Sequence, residues 1–232
     1  MSSVLKLEQH SVDTPRATIY KEAVSLLETT KQWPSGKTYY KSSSHPVLTK
    51  SGPINGDFWA LRESHLDNIA VARLHQAIIG TTQIGTSTHT DYEPRYVHEI
   101  SKVEISQLHT YDDGWSYAIH VEYTFPFPLA KRTFNEVVHV FTDAGKSSGL
   151  VVSLPIEGAL YDHSVLGAYV AVEELIWSEE HASADWYVAT TSSAGGFVPI
   201  WVTNMSLAGA LVKDVPNILK LIGDSKHFED VE

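Results

Sequence analysis

Ser116-Tyr117-Ala118-Ile119-His120-Val121-Glu122-Tyr123-Thr124-Phe125 alternates residue by residue. Tyr117, Ile119, Val121, Tyr123 and Phe125 fall on one side; Ser116, Ala118, His120, Glu122 and Thr124 fall on the other. A period of two belongs to a β-strand with one buried face. On either side the same chemistry recurs at strand length: Arg132 to Phe141, Gly149 to Leu154, Ala168 to Trp177 and Asp185 to Thr191. Turn residues separate these runs, at Asp112-Asp113-Gly114, Pro126 to Pro128, Asp143-Ala144-Gly145 and Ser192 to Gly196. Short turns between successive strands specify an antiparallel meander.

The period changes toward both ends. Thr14-Pro15 reads as an N-cap followed by a first-turn proline, and Ile19, Ala23, Leu26 and Leu27 form a helical stripe reaching about Thr30. A short helix is expected from Asp67 to Ile79. Near the C-terminus, Leu207, Leu211, Val215, Ile218 and Ile222 share one helical face, with Gly223 as a stop. Pro216 inside that helix predicts a kink near Val212. The order is helix, strands, short helix, about five strands, long helix. This is an α+β fold: a curved antiparallel sheet with a long C-terminal helix laid across it.

The 232 residues are 43% apolar and 19% charged, a globular composition, and no repeat or linker divides them. One domain over residues 1–232 is expected. Cysteine is absent, which excludes disulfides and thiolate chemistry. A net charge of −11 opposes binding to nucleic acid and stable membrane association. The first ten residues lack the apolar core of a signal peptide, so a cytoplasmic protein is expected.

Two stretches carry a resemblance. Ala168-Tyr169-Val170-Ala171-Val172-Glu173 is followed by Trp186-Tyr187-Val188-Ala189-Thr190-Thr191-Ser192-Ser193-Ala194-Gly195-Gly196-Phe197-Val198-Pro199-Ile200-Trp201. Together they resemble the START-like (helix-grip, SRPBCC) superfamily and, more closely, a fungal branch of it whose function is unknown. Pro128-Leu129-Ala130-Lys131-Arg132-Thr133-Phe134 is similar to that branch's central-strand motif, and His89, Glu93 and Tyr96 to its H-x-x-x-E-x-x-Y segment. Lys213-Asp214-Val215 also matches. The likeness spans about Gly56 to Ile222 and implies a ligand cavity between sheet and last helix. Ser193 stands where the branch is expected to have aspartate, and Glu174 where a basic residue is expected.

In such a cavity apolar burial would drive binding at about 25 cal/mol per Å². The aromatic candidates for its wall are Trp59, Tyr117, Phe134, Trp177, Trp186, Phe197 and Trp201, with Leu211 from the last helix. Polar residues in the strands are the candidates for chemistry, because burying them unpartnered costs about 1–3 kcal/mol each. Arg62 faces opposite to Glu63, His120 and Glu122 share a face, and Arg132 and Glu136 share another. Arg132, His120, Glu122 and Tyr169 are the catalytic candidates, Arg132 foremost because it lies in a family-like motif. Arg62, Glu136, Glu173 and Thr190 are candidate ligand contacts.

No cofactor is expected, since there is no phosphate loop, dinucleotide fingerprint or nucleophile elbow. The spacing of His89, His98 and Glu99 fits no standard zinc pattern, so no metal is expected. The expected partner is an apolar small molecule. Two functions fit. One is a cofactor-independent cyclase or pericyclase-type enzyme acting on a polyketide or terpenoid. The other is a non-catalytic lipid or sterol carrier.

Overall fold

The apolar stripe of Ile19, Ala23, Leu26 and Leu27 is buried, and it sets the back layer of the molecule. The computed structural model describes residues 3–11, 14–125, 130–143, 145–198 and 200–223, without the side chains of residues 200–202, 205 and 206. The expected turn at 126–128, Ala144 and Pro199 lie outside the described residues.

Helix α1 (Arg16–Lys31) opens the fold. Pro15 is its cap rather than its first helical residue, and no side chain caps it. Strands β1 (Thr38–Tyr39), β2 (Val47–Ile54) and β3 (Asp57–Asp67) follow. Then come α2 (Val71–Ile78) and α3 (His89–Tyr96). The meander comprises β4 (Ile100–Tyr111), β5 (Gly114–Tyr123), β6 (Arg132–Thr142), β7 (Ser148–Pro155), β8 (Val165–Leu166), β9 (Ala168–Ser178) and β10 (Ser183–Ser193). Helices α4 (Ile200–Leu211) and α5 (Asp214–Gly223) close the chain. Among the described residues these form one sheet in the order β1-β2-β3-β10-β9-β7-β6-β5-β4, with β8 pairing β6. Only the β6–β8 pairing is parallel among the described strands. The arrangement is the α+β layout expected from the alternation of strands and the final helical stripe, and it has the helix-grip form that the resemblance implies.

Alternation sorts the side chains onto two faces. On the outer face α1 packs against Trp59, Leu61, Val137, Phe141, Val152 and Val172. On the inner face Tyr117, Ile119, Val138, Val151, Trp186 and Val188 meet Leu74, Ile78, Tyr92, Leu211 and Ile218 from the other helices. Arg16 fastens α1 to the meander. Its guanidinium donates to the carbonyls of Trp115 at 3.0 Å and Val140 at 2.9 Å, and to Asp113 at 2.9 Å.

Four local expectations are revised. The short helix starts at Val71 instead of Asp67, because β3 runs on to pair Asp67 with Ser183 and Asn68 turns the chain at φ 54°. The C-terminal helix is broken, not kinked: Val212 and Lys213 form a turn, and the Lys213 N–H donates to the Ala210 carbonyl at 3.1 Å. Pro216 then sits in the first turn of α5, where its missing N–H is one of the helix's orphan donors and interrupts nothing. Strand β4 was not expected. It is a sheet edge with polar residues on both faces and a bulge between Ser106 and His109, so its apolar alternation is limited to Val103 and Ile105. Helix α3 was also not expected, although Thr88 and Asp91 form a capping box at its start.

The Gly195-Gly196 turn feeding α4 has the expected character. Gly195 takes φ 63°, and a Cβ there would lie 2.0 Å from the Leu166 carbonyl oxygen. No described helix is long and apolar enough to cross a membrane.

Candidate functional site: a carboxyl-rich cavity under α3

Between α3 and the inner face of the sheet lies a cavity of about 30 Å³, room for about two water molecules. Helix α3 supplies His89 and Glu93, one turn apart on the same face, β6 supplies Glu136, and β9 supplies Tyr169 and Glu173. The apolar part of the wall is Ile119, Val121, Val151 and Ala171. Among the described residues neither lysine nor arginine lines it. The wall is therefore more polar, and more acidic, than an alternating apolar strand pattern implies.

His89 is held in a defined orientation. Its Nδ1 is 2.7 Å from the carbonyl oxygen of Ile78, which can only accept, so Nδ1 carries a proton. Nε2 faces Glu93 Oε1 at 3.7 Å and Glu173 Oε2 at 3.8 Å. Glu173 is itself positioned, accepting the indole N–H of Trp186. The Trp186 ring carries the Arg62 guanidinium 3.7 Å from its centroid. Arg62 is fully buried; one terminal nitrogen donates to Ser64 at 3.1 Å, while Nε and Nη2 have no hydrogen-bond partner among the described residues. Burial pulls its pKa down. A line of contacts thus runs from Arg62 through Trp186 and Glu173 to His89.

Burial dominates the electrostatics of the carboxyls. It raises the Glu93 pKa, with His89 opposing and Glu173 reinforcing. It raises Glu136 well above the usual range, reinforced by Glu93. Asp214, in the first turn of α5, is pushed up to about 7 by burial, with Arg62 as the largest opposing influence. Tyr169 and Tyr123 are also raised by burial. Perturbed titratable groups converging on one cavity mark a functional-site candidate.

Of the residues expected from sequence, Tyr169, Glu136 and Glu173 reach the cavity wall. Tyr117 stands on the same face, with its hydroxyl 3.1 Å from Thr90 Oγ1 of α3. Phe134 packs edge-on to Tyr123 at 5.1 Å. Thr190 is buried and donates to the Val170 carbonyl at 2.8 Å. Trp177 lies against His75 of α2 at 4.6 Å, and Leu211 is buried in the inner core.

Others are placed elsewhere. His120 and Glu122 are on the outer face. His120 bonds Asn135 at 2.6 Å, while Glu122 bonds Ser101 at 2.9 Å and Lys131 at 3.0 Å. Trp59 is also on the outer face, fully buried against the α1 core. Phe197 is fully exposed to solvent. Arg132 sits at the rim, where it donates to the backbone carbonyls of Ala130 and Ala194 at 2.5 Å each and so ties the end of β10 to the start of β6. The side chain of Trp201 lies outside the described residues. The two departures from the family pattern miss the cavity: Glu174 pairs with Lys31 of α1 on the outer face, and Ser193 lies at the end of β10.

From sequence, His89 and Glu93 stand out only as members of the H-x-x-x-E-x-x-Y segment, and His89 also as one of three residues rejected as a metal set, rather than as site residues. The signal was their i, i+4 spacing continued by Tyr96 at i+7, which places all three on one face of a helix. His98 lies beyond α3, with Nδ1 3.3 Å from the Tyr96 carbonyl.

A family model described as "protein of unknown function (DUF3074)" matches residues 59–222. A search of curated proteins gives no match. Among solved structures, human STARD10 superposes with a TM-score of 0.68 at 12% identity, over 96% of this chain and 86% of that one. Human StAR-related lipid transfer protein 5 gives 0.67 at 10% identity, over 89% and 96%. A STAR-related lipid transfer protein fragment from Xanthomonas axonopodis gives 0.62 at 13% identity, over 83% and 99%. Identities this low carry the fold, which is START-like.

Proposed function

The chain belongs to the DUF3074 family, described as proteins of unknown function, so its activity has to be argued from its own cavity, and we propose that it is a cofactor-independent enzyme acting on an apolar small molecule. The observation that carries this reading is His89, fixed at Nδ1 by Ile78 and presenting Nε2 between Glu93 and Glu173. In that setting Nε2 takes a proton from a bound substrate, and the two carboxyls stabilise the imidazolium that forms. Such proton transfer suits cyclisation or dehydration of a polyketide- or terpenoid-like skeleton, with the cavity holding the reactive fold. A passive apolar container gains nothing from this wall, because each unpaired buried polar group costs about 1–3 kcal/mol. Typical small-molecule pockets occupy roughly 300–1,000 Å³, so binding a skeleton of that size includes movement of the helices covering the inner face away from the sheet.

A second reading, carriage of a lipid or sterol without chemistry, is supported by the fold likeness to two lipid transfer proteins. One experiment separates the two. Purified protein and its His89→Gln variant are incubated with a mixed extract of apolar metabolites and followed by mass spectrometry, alongside native mass spectrometry of the protein itself. Time-dependent loss of a component with wild type but not with His89→Gln supports the enzyme. Equal, stoichiometric retention of an unaltered lipid by both proteins would sink the enzyme reading and leave the carrier.

A further inference from the structure

Glu136 is the member of the carboxyl group that the His89 arrangement does not use. It projects from β6 on the inner face, between Phe134 and Val138, and lines the cavity while only 5% exposed. Glu93 lies near the imidazole of His89, and Glu173 accepts from Trp186, but Glu136 has neither a hydrogen bond nor an ion pair among the described residues. The other polar groups facing the space are His89 and Glu93 from α3, Tyr123 from β5, Ser153 from β7, and Tyr169 and Glu173 from β9. None of these is a fixed cation, and two are carboxyls.

We propose that Glu136 is a hydrogen-bond donor of this cavity and that the ligand presents a carbonyl-type oxygen to it. The inference rests on the cavity being the ligand site. Two features of the wall support it. An ionised Glu136 would be a buried anion without a counter-charge beside further carboxyls, an arrangement relieved by taking up a proton. The direction of the Glu136 pKa agrees, since burial and Glu93 both favour the neutral acid. A neutral carboxylic acid in a buried recess donates one strong hydrogen bond, and a carbonyl oxygen that gains negative charge during enolisation is stabilised by such a donor. With His89 on α3 and Glu136 on β6, the site then has a base and an acid on different walls of one small space.

Two measurements test this. In infrared difference spectra at neutral pH, wild type minus Glu136→Gln should show a carboxylic-acid carbonyl band that the variant lacks. Loss of a carboxylate band instead would mean that Glu136 is ionised and would overturn the proposal. The second uses cyclohexanone and the cyclohexylammonium ion as probes, with binding read by saturation-transfer NMR on the full chain. The ketone should bind wild type and Glu136→Gln about equally, because the amide still donates. It should bind Glu136→Leu about tenfold more weakly, the effect of one hydrogen bond. Preference for the ammonium ion, lost in both variants, would overturn the donor role in favour of a cation site. The infrared result is independent of turnover. A persisting acid band with no His89-dependent activity removes the enzyme reading and keeps the donor, whereas a missing band with activity intact does the reverse.

Discussion

The Arg62 guanidinium lies over the Trp186 ring, 3.7 Å from its centroid, while two of its nitrogens have no hydrogen-bond partner among the described residues. Arg62 also exerts the largest influence holding Asp214 down against burial. Replacing Arg62 by Met should therefore raise the Asp214 pKa above about 7, a shift that carbon-detected NMR titration of the Asp214 carboxyl can follow. An unchanged titration would show that the pair is not electrostatically coupled.

Asp214 itself predicts a pH dependence of stability. Its folded pKa of about 7 exceeds the ordinary carboxyl value of 3.8, so between those values the folded state holds more protons. The stabilisation is complete below about pH 4 and is lost as pH rises through 7, with a slope of up to about 1.4 kcal/mol per pH unit. Urea unfolding of Asp214→Asn across this range should show that slope removed.

His139 acts in the opposite sense. Burial first, then Arg16 and His10, lower its pKa from 6.5 to about 3. Between those values the unfolded chain binds the extra proton, so stability is present above about pH 6.5 and falls as pH drops toward 3. The two windows overlap, and wild type displays their difference. His139→Asn keeps an acceptor for the Ser116 hydroxyl, which lies 2.8 Å from Nδ1. That variant should lose less stability than wild type between pH 6.5 and pH 4, measured as the fall in urea midpoint.

Much of the architecture was open to reading from sequence, and the reason is periodicity. Tyr117 to Tyr123 and Leu207 to Ile222 repeat their apolar residues at the spacing of the element they form, and each buries that side. The parts that escaped have no such asymmetry. β4 carries only a short apolar alternation at Val103 and Ile105 among polar residues, and α3 has the composition of a loop, with Pro94 inside it. The site was legible only in part for a related reason. Alternation groups Glu136 with Arg132, and His120 with Glu122, but does not say which face looks inward. That depends on where the helices pack, and helices pack on both sides of this sheet. Glu136 and Tyr169 lie on the cavity side, whereas His120 and Glu122 lie on the side of α1.

Arg132 illustrates the same point at a single residue. It projects inward by parity, yet its guanidinium is occupied by the carbonyls of Ala130 and Ala194. Arg132→Ala should lower stability by about 2–4 kcal/mol through the loss of two charge-assisted hydrogen bonds. Arg132→Lys should recover only part of it, because an ammonium cannot span both carbonyls as the planar fork does. Thermal unfolding of the pair checks this, and an Arg132→Ala protein as stable as wild type would contradict the clamp.

Two glycines at the start and end of the α4 region should respond oppositely to a methyl group. Gly195→Ala meets the Leu166 carbonyl oxygen at 2.0 Å from a left-handed backbone and should cost at least about 2 kcal/mol. Gly209→Ala has open space within 4 Å and should gain about 0.5–1 kcal/mol from helix propensity. Differential scanning calorimetry of the two variants tests the signs directly.

The fastening of α1 by Arg16 has a mechanical implication. One side chain ties the back helix to the carbonyls of β5 and β6 and to the turn between β4 and β5. The sheet is thereby braced from behind, while the front layer is divided into α4 and α5 at a two-residue turn. That asymmetry predicts that any outward movement making room for a guest is taken by the divided front layer, with the braced strands serving as a fixed backplate.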